Sequence, residues 1–206
     1  MEKLKLVSEI HEPDQRNLLF VRIDTGKPLT IEDHHARVAS AVLQPTVPDD
    51  VRSYFATIQN LCVYAWFAYD LYAIVEFLCY TAIEMALRIR FPVQGSRKRS
   101  LRSLLKEAVT KKLIKPKGFR HLRELRQIQA ERLRVDRQIR KASGSQSMKS
   151  YRSPIPKTDY AEILERAIPD LRNAFAHPRK QAIVMPGQAL LELKITSELI
   201  NQLFTP

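Results

Sequence analysis

The sequence predicts an all-α protein, a helical bundle preceded by a small N-terminal extension that is either irregular or a β-hairpin. The main evidence is residues 51–90, which contain neither Gly nor Pro and are too apolar for a helix with one wet face. Two further segments, residues 100–114 and 159–176, show helical spacing of apolar residues, and the second begins with a residue suited to capping. Both features place most of the core in helices.

Length and charge narrow the class of protein. The chain of 206 residues is long enough for one buried core, and its net charge is +12. Residues 115–157 hold 13 Lys and Arg against three acids, whereas residues 1–50 hold six against nine. This uneven charge favours a nucleic-acid partner over an anionic membrane surface. The alternative for the basic run is a solvated charged face.

Several chemistries find no support in the sequence. Cys62 and Cys79 lie in an apolar run and are predicted to be buried free thiols, with no disulfide framework and no metal site. No Gly-rich phosphate loop or Gly-x-Ser-x-Gly element occurs, so we predict no cofactor. The N-terminus lacks a signal-peptide pattern, which predicts a cytoplasmic protein. A membrane span over residues 61–87 is disfavoured because three acids interrupt it: Asp70, Glu76 and Glu84.

Residues 1–50 form the predicted extension. Residues 18–23 are strand-like, and residues 24–28 have turn chemistry. His34 and His35 are interpreted as part of a solvated turn, because no third metal ligand is evident. Pro45 and Pro48 end the extension, and the acids at 49–50 are predicted to cap the first helix of the domain at residues 51–206.

The central segment, residues 51–90, could be one long helix or two. At 100° per residue, its polar residues Asp70, Thr81, Glu84 and Arg88 share a stripe. This stripe is either a self-satisfied polar seam or a face from which Glu84 reaches Arg172. After a helix at 100–114, residues 119–141 predict a basic helix and residues 142–156 a loop, together an insertion at about 115–157.

The C-terminal part contains three predicted pieces. Asp159 is expected to cap a helix, with Glu162 as its reciprocal partner, and Pro169 either kinks that helix or starts a new one. Residues 183–187 and then 190–195 predict a short turn and an extended piece. Thr196 is then expected to cap a last helix over Ser197–Phe204.

The most informative segment is Leu171-Arg172-Asn173-Ala174-Phe175-Ala176-His177-Pro178. Arginine offers a planar, charged fork that fits phosphate, and histidine can exchange a proton near neutral pH. The alternative is structural, since a histidine in a last helical turn can cap free carbonyls. On a straight helix Arg172 and His177 would lie 140° apart, but Pro178 disfavours helical geometry at His177 and lets the chain turn there.

Three blocks resemble the HEPN superfamily (higher eukaryote and prokaryote nucleotide-binding domains): residues 83–88, 100–106 and 168–177. The last block is similar to the Arg-x4–6-His motif of that family, with Asn directly after Arg, although Pro178 stands where many relatives have Gly. The resemblance covers roughly residues 52–114 and 159–204. It implies a helical bundle that pairs into homodimers, with the motifs of two copies around a shared cleft.

The resemblance also implies a function and a site. Many members are metal-independent endoribonucleases of toxin–antitoxin or phage-defence systems, so a partner protein such as an antitoxin is expected in addition to RNA. Others are catalytically inactive modules that bind RNA or a partner protein, which is the alternative here. By motif position the catalytic residues are Arg172 and His177, supported by Asn173 and by Glu84. Cations of the insertion are predicted to bind the RNA backbone: Arg132, Arg134, Arg137, Arg140, Lys141, Lys149 and Arg152.

Overall fold

Helices account for the fold, as the sequence predicts, and the protein is all-α. The computed structural model describes residues 4–22, 25–92, 99–124, 127, 134, 159–177 and 184–205. Short 3-10 turns lie at Val7–Glu9, Asn17–Leu19 and Pro116–Gly118. The α-helices are α1 (Ile31–Ala39), α2 (Asp49–Tyr64), α3 (Leu71–Arg90), α4 (Leu101–Thr110), α5 (helical at residues 120–124), α6 (Tyr160–Ala176) and α7 (Pro186–Phe204). Residues 127 and 134 are also helical. Within the described ranges, none of these helices is both long and apolar enough to cross a bilayer.

Helix α3 is the centre of the bundle, with α2, α4, α6 and α7 packed around it. Its buried residues recur on nearly every turn, among them Tyr72, Cys79 and Ile83, so it has no fully wet face. The free thiols of Cys62 and Cys79 are both buried, as predicted. Burial raises the pKa of Cys62 to about 12, so this thiol is unreactive at neutral pH.

The long apolar segment forms two helices, because the chain turns between Ala65 and Asp70. The N-terminal extension satisfies the backbone of this turn. The buried Asn17 side chain donates hydrogen bonds to the carbonyls of Ala65 (3.1 Å) and Trp66 (2.9 Å). The carboxylate of Asp14 accepts a hydrogen bond from the Tyr69 backbone N–H at 3.3 Å. Residues distant in sequence therefore decide where α2 ends and α3 begins.

The extension differs from the sequence prediction in two places. The interpretation of His34 as part of a solvated turn is wrong: His34 lies in α1, is only 3% exposed, and stacks on Trp66. Its Nε2 is 2.7 Å from the Cys62 carbonyl, and burial lowers its pKa. The predicted strand at residues 18–23 is also wrong at Leu18 and Leu19, which belong to a 3-10 turn. A single antiparallel bridge joins Val21 to Pro28.

The C-terminal helix corrects another prediction. The sequence predicts an extended piece at residues 190–195, but α7 runs without interruption from Pro186 to Phe204. The alternation of Leu193, Lys194 and Ile195 resembles a strand locally, yet burial follows the helical period over the whole segment. Thr196 is consequently a buried residue inside α7 and caps nothing.

Local capping chemistry accounts for the starts of α4 and α6 but not for the start of α2. The Ser100 hydroxyl accepts a hydrogen bond from the Ser103 N–H (3.2 Å), and Asp159 accepts one from the Ala161 N–H (2.9 Å), as N-caps do. Helix α2, however, begins at Asp49 with Pro48 as its N-cap, so the two acids contribute charge to the first turn rather than a cap. Pro169 lies inside one continuous helix, α6.

Candidate active site

The Arg-x4-His segment lies at the C-terminal end of α6, where the core holds one face of the helix. Ile168 is buried, and the ring of Phe175 packs on Tyr80 of α3 with 6.2 Å between ring centroids. Helix α6 ends at Ala176, and His177 leaves helical geometry with φ −128° and ψ 62°. The chain therefore turns at His177, as the proline after it predicts.

Glu84 contacts two arginines at once. Its Oε1 lies 2.6 Å from Nη2 of Arg88, one helical turn later on α3, and its Oε2 lies 3.3 Å from Nη2 of Arg172 on α6. Glu84 is only 15% exposed, whereas Arg172 is 34% exposed. The contact between Glu84 and Arg172 that the polar stripe suggests is therefore present. It orients the Arg172 guanidinium across the packing of two helices.

Asn173 supports the same guanidinium from its own helix. Its side-chain oxygen accepts a hydrogen bond from Nη1 of Arg172 at 3.3 Å. Nε of Arg172 is enclosed and has no hydrogen-bond acceptor among the described residues. Arg172 is thus held at both terminal nitrogens by Asn173 and Glu84, while its side chain remains 34% exposed. Each terminal nitrogen carries a second N–H, which can donate to a further acceptor.

An open groove of about 370 Å³ lies beside this cluster, and we call it the arginine groove. It runs between the C-terminal half of α3, the start of α4 and the second half of α6. Its lining is Glu84, Arg88, Ser100, Leu101, Arg102, Pro169, Asp170, Arg172 and Asn173. Three of these residues are arginines and two are carboxylates. The first turn of α4 adds the positive end of a helix dipole. The groove is therefore suited to an anion such as a phosphodiester.

Ser100 and Arg102 are among the groove residues that the sequence does not predict as part of the site. Arg102 pairs with Asp170 at 2.7 Å and so ties the start of α4 to α6. Their local sequence shows a helix start but not its neighbours. Only the packing of α4 against α6 brings this N-terminus to Arg172.

His177 is exposed and does not line the arginine groove. The structure therefore brings Arg172, Asn173 and Glu84 together around the groove, with His177 at the surface one residue beyond the end of α6. Of the predicted RNA-binding residues, only Arg134 is described; it is helical and exposed. The others lie outside the described residues: Arg132, Arg137, Arg140, Lys141, Lys149 and Arg152.

Beneath the motif, α3 and α7 share an acidic cluster, made of the buried Glu76 and the partly buried Glu192. Glu76 is 2% exposed and accepts hydrogen bonds from the Tyr80 hydroxyl (2.8 Å) and from the Gln188 amide (3.1 Å). Burial, together with the nearby Glu76, raises the pKa of Glu192 to about 8. Since Phe175 packs on Tyr80, this cluster lies directly behind the end of α6.

No group of three or more His, Cys, Asp and Glu side chains within the described ranges converges as a metal site would.

Comparison with protein-family models, with curated proteins and with solved structures finds no match to this chain.

Proposed function

We propose that this protein is a metal-independent endoribonuclease of the HEPN type, which cleaves RNA through its own 2′-hydroxyl as a toxin or phage-defence effector. The observation that carries the proposal is the arginine groove. It places Arg172 and Asn173 of the motif beside two further arginines and a helix N-terminus, all suited to a phosphodiester. The resemblance of residues 168–177 to the Arg-x4–6-His motif supplies the reaction class.

In this reaction the 2′-oxygen attacks phosphorus, the bond to the 5′-oxygen breaks, and a 2′,3′-cyclic phosphate remains on one product. His177 takes the proton from the 2′-hydroxyl or gives one to the leaving 5′-oxygen. Arg172 stabilises the charge that develops on the phosphorane oxygens. Because His177 is exposed and outside the groove of its own chain, we propose that two copies pair, so that a histidine of one copy serves the groove of the other.

The test is cleavage of total RNA and transfer RNA in EDTA by the purified full-length protein. We expect cleavage, cyclic-phosphate ends, and no cleavage of DNA, which lacks the 2′-hydroxyl. His177→Ala should lose about 10²-fold or more of the rate, and Arg172→Ala a similar factor. The matched control is Arg166→Ala, an exposed arginine of the same helix that is not part of the groove. Unchanged activity of folded His177→Ala would refute the mechanism.

A second candidate is a catalytically inactive HEPN module that binds RNA or a partner protein. It is favoured by the position of His177, because the groove of a single chain is lined by arginines and by no histidine that could transfer a proton. It predicts RNA binding that weakens with salt and no cleavage by any oligomeric form. Cleavage by the wild-type protein in EDTA that is lost in His177→Ala excludes this candidate.

A further inference from the structure

We propose that a second concavity of the molecule, separate from the arginine groove, binds the phosphodiester backbone of RNA. This cleft has a volume of about 950 Å³ and lies between the chain after α4, the end of α3 and the C-terminal half of α7. We call it the basic cleft because its lining holds six cations, Arg90, Lys112, Lys115, Lys117, Arg120 and Lys194, and only two carboxylates. The inference rests on the proposed RNA substrate.

The two carboxylates of the basic cleft are already engaged. Glu124 contacts Arg120 at 3.1 Å and Lys194 at 3.3 Å. Glu198 accepts from the backbone N–H of His121 and lies 2.7 Å from its ring nitrogen. Four cations therefore make no ion pair with any carboxylate in the part of the chain that the structure describes: Arg90, Lys112, Lys115 and Lys117.

The cationic segment at residues 112–117 is held in place rather than loosely attached. Ile114 within the segment and Phe119 just after it are both buried and anchor it. The backbone N–H of Lys115 donates to the Gln202 side chain of α7 at 2.8 Å. Gly118 approaches that amide so closely that a Cβ there would lie 2.1 Å from its Cδ. The exposed lysines thus project from a fixed frame, which lowers the ordering cost of contacting a polyanion.

Lys112 gives an independent indication. It follows α4 in the left-handed conformation, with φ 56°. The hydrogen bonds from Leu113 to Ala108 and from Lys112 to Val109, both 2.9 Å, are those of a Schellman ending, where glycine is the ordinary residue. A lysine there carries a conformational cost that glycine avoids. A requirement for a cation at this point of the cleft accounts for it.

The place of the basic cleft suits the same substrate as the arginine groove. Arg88 lines the groove and Arg90 lines the cleft. Residues two apart on a helix face about 200° from one another, so the two sites lie on opposite sides of the end of α3. An RNA strand that crosses this helix end contacts both. A concave lining also favours a strand over a membrane, which a basic amphipathic face would contact in a plane.

The experiment measures binding of a fluorescent single-stranded RNA by anisotropy at several salt concentrations. The variants are Lys115→Gln with Lys117→Gln, and separately Lys112→Gly; the control is Lys106→Gln, an exposed lysine outside the cleft. The double variant should bind on the order of tenfold more weakly, with the slope of log K against log[salt] reduced by about 1.4, since each phosphate contact contributes about 0.7 on a single strand. In Lys112→Gly the slope of log K against log[salt] should fall by about 0.7. Its unfolding temperature should stay level or rise, so that misfolding cannot explain the weaker salt dependence.

The proposal is overturned if both cleft variants show the same slope of log K against log[salt] as the wild-type protein. It is also overturned if the wild-type protein does not bind RNA. Two further arms use a DNA strand of the same sequence and phosphatidylserine vesicles. If the cleft variants lose vesicle binding while the salt dependence of RNA binding is unchanged, the cleft binds membranes and the proposal is overturned. Binding of DNA but not of RNA would also overturn the proposal. Cleavage is measured separately, with His177→Ala as the inactive control. If the wild-type protein does not cleave RNA but the cleft variants still show the slope changes, the proposed function is refuted while RNA binding at the basic cleft is supported.

Discussion

Replacing Glu192 by Gln should make the protein less sensitive to rising pH. The pKa of this carboxyl in the folded protein is about 8, against 4.5 for an ordinary glutamate. Between these two values the folded state keeps a proton that the unfolded state has released. Stability must therefore fall as pH rises through this range, at up to about 1.4 kcal/mol per pH unit.

The size of the effect follows from the pH range. From pH 5 to pH 7 the loss attributable to Glu192 is at most about 2.7 kcal/mol. Since Glu192 is only partly buried and water screens part of the shift, we expect about half of this value. A glutamine keeps the shape and cannot ionise. The difference in unfolding free energy between Glu192→Gln and wild type should thus grow by about 1.4 kcal/mol from pH 5 to pH 7.

The assay is urea denaturation of both proteins at pH 5, 6 and 7, analysed with a common m-value. Glu12→Gln serves as the control, because Glu12 is an exposed glutamate of the N-terminal extension. Its difference from wild type should stay constant. Parallel pH curves for wild type and Glu192→Gln would refute the reasoning, because they would mean that this carboxyl ionises normally in the folded protein.

Two further predictions concern the N-terminal extension, each measured by urea denaturation. His34→Ala should lose about 2–3 kcal/mol, since it removes a hydrogen bond to Cys62 and the ring contact with Trp66. Because burial lowers the pKa of His34, the unfolding free energy of wild type should also fall as pH drops below about 6.5, by up to about 1.4 kcal/mol per pH unit. His34→Ala should lack this loss, and an equal loss in both proteins would contradict the reasoning. Asn17→Ala should cost about 2 kcal/mol because two carbonyls at the end of α2 lose their donor, and a cost below about 0.5 kcal/mol would show that water replaces the amide.

The elements that could be predicted from the sequence are those whose causes are local. Ser100 and Asp159 cap helices because their side chains reach backbone N–H groups two or three residues later. Glu84 and Arg88 pair because residues four apart share a helix face. The end of α6 before His177 follows from the proline behind it. Each of these outcomes depends only on residues that are a few positions apart in the sequence.

The elements that could not be predicted depend on contacts between distant residues. His34 is buried because α1 docks on the turn after α2, where Trp66 and Tyr72 surround its ring. Leu193 lies in a helix because α7 packs against α3, which outweighs the local alternation. Arg102 enters the arginine groove only through the packing of α4 against α6. No local pattern carries this information.

The charges of the two concavities separate their roles in the proposed reaction. In the arginine groove every arginine has a carboxylate partner: Glu84 contacts Arg88 and Arg172, and Asp170 contacts Arg102. Such paired guanidiniums are well oriented but add little net attraction for a polyanion. The basic cleft has the opposite character, because four of its cations have no described carboxylate partner. Loss of a groove arginine should therefore lower kcat far more than it raises KM, whereas loss of cleft lysines should raise KM and leave kcat nearly unchanged.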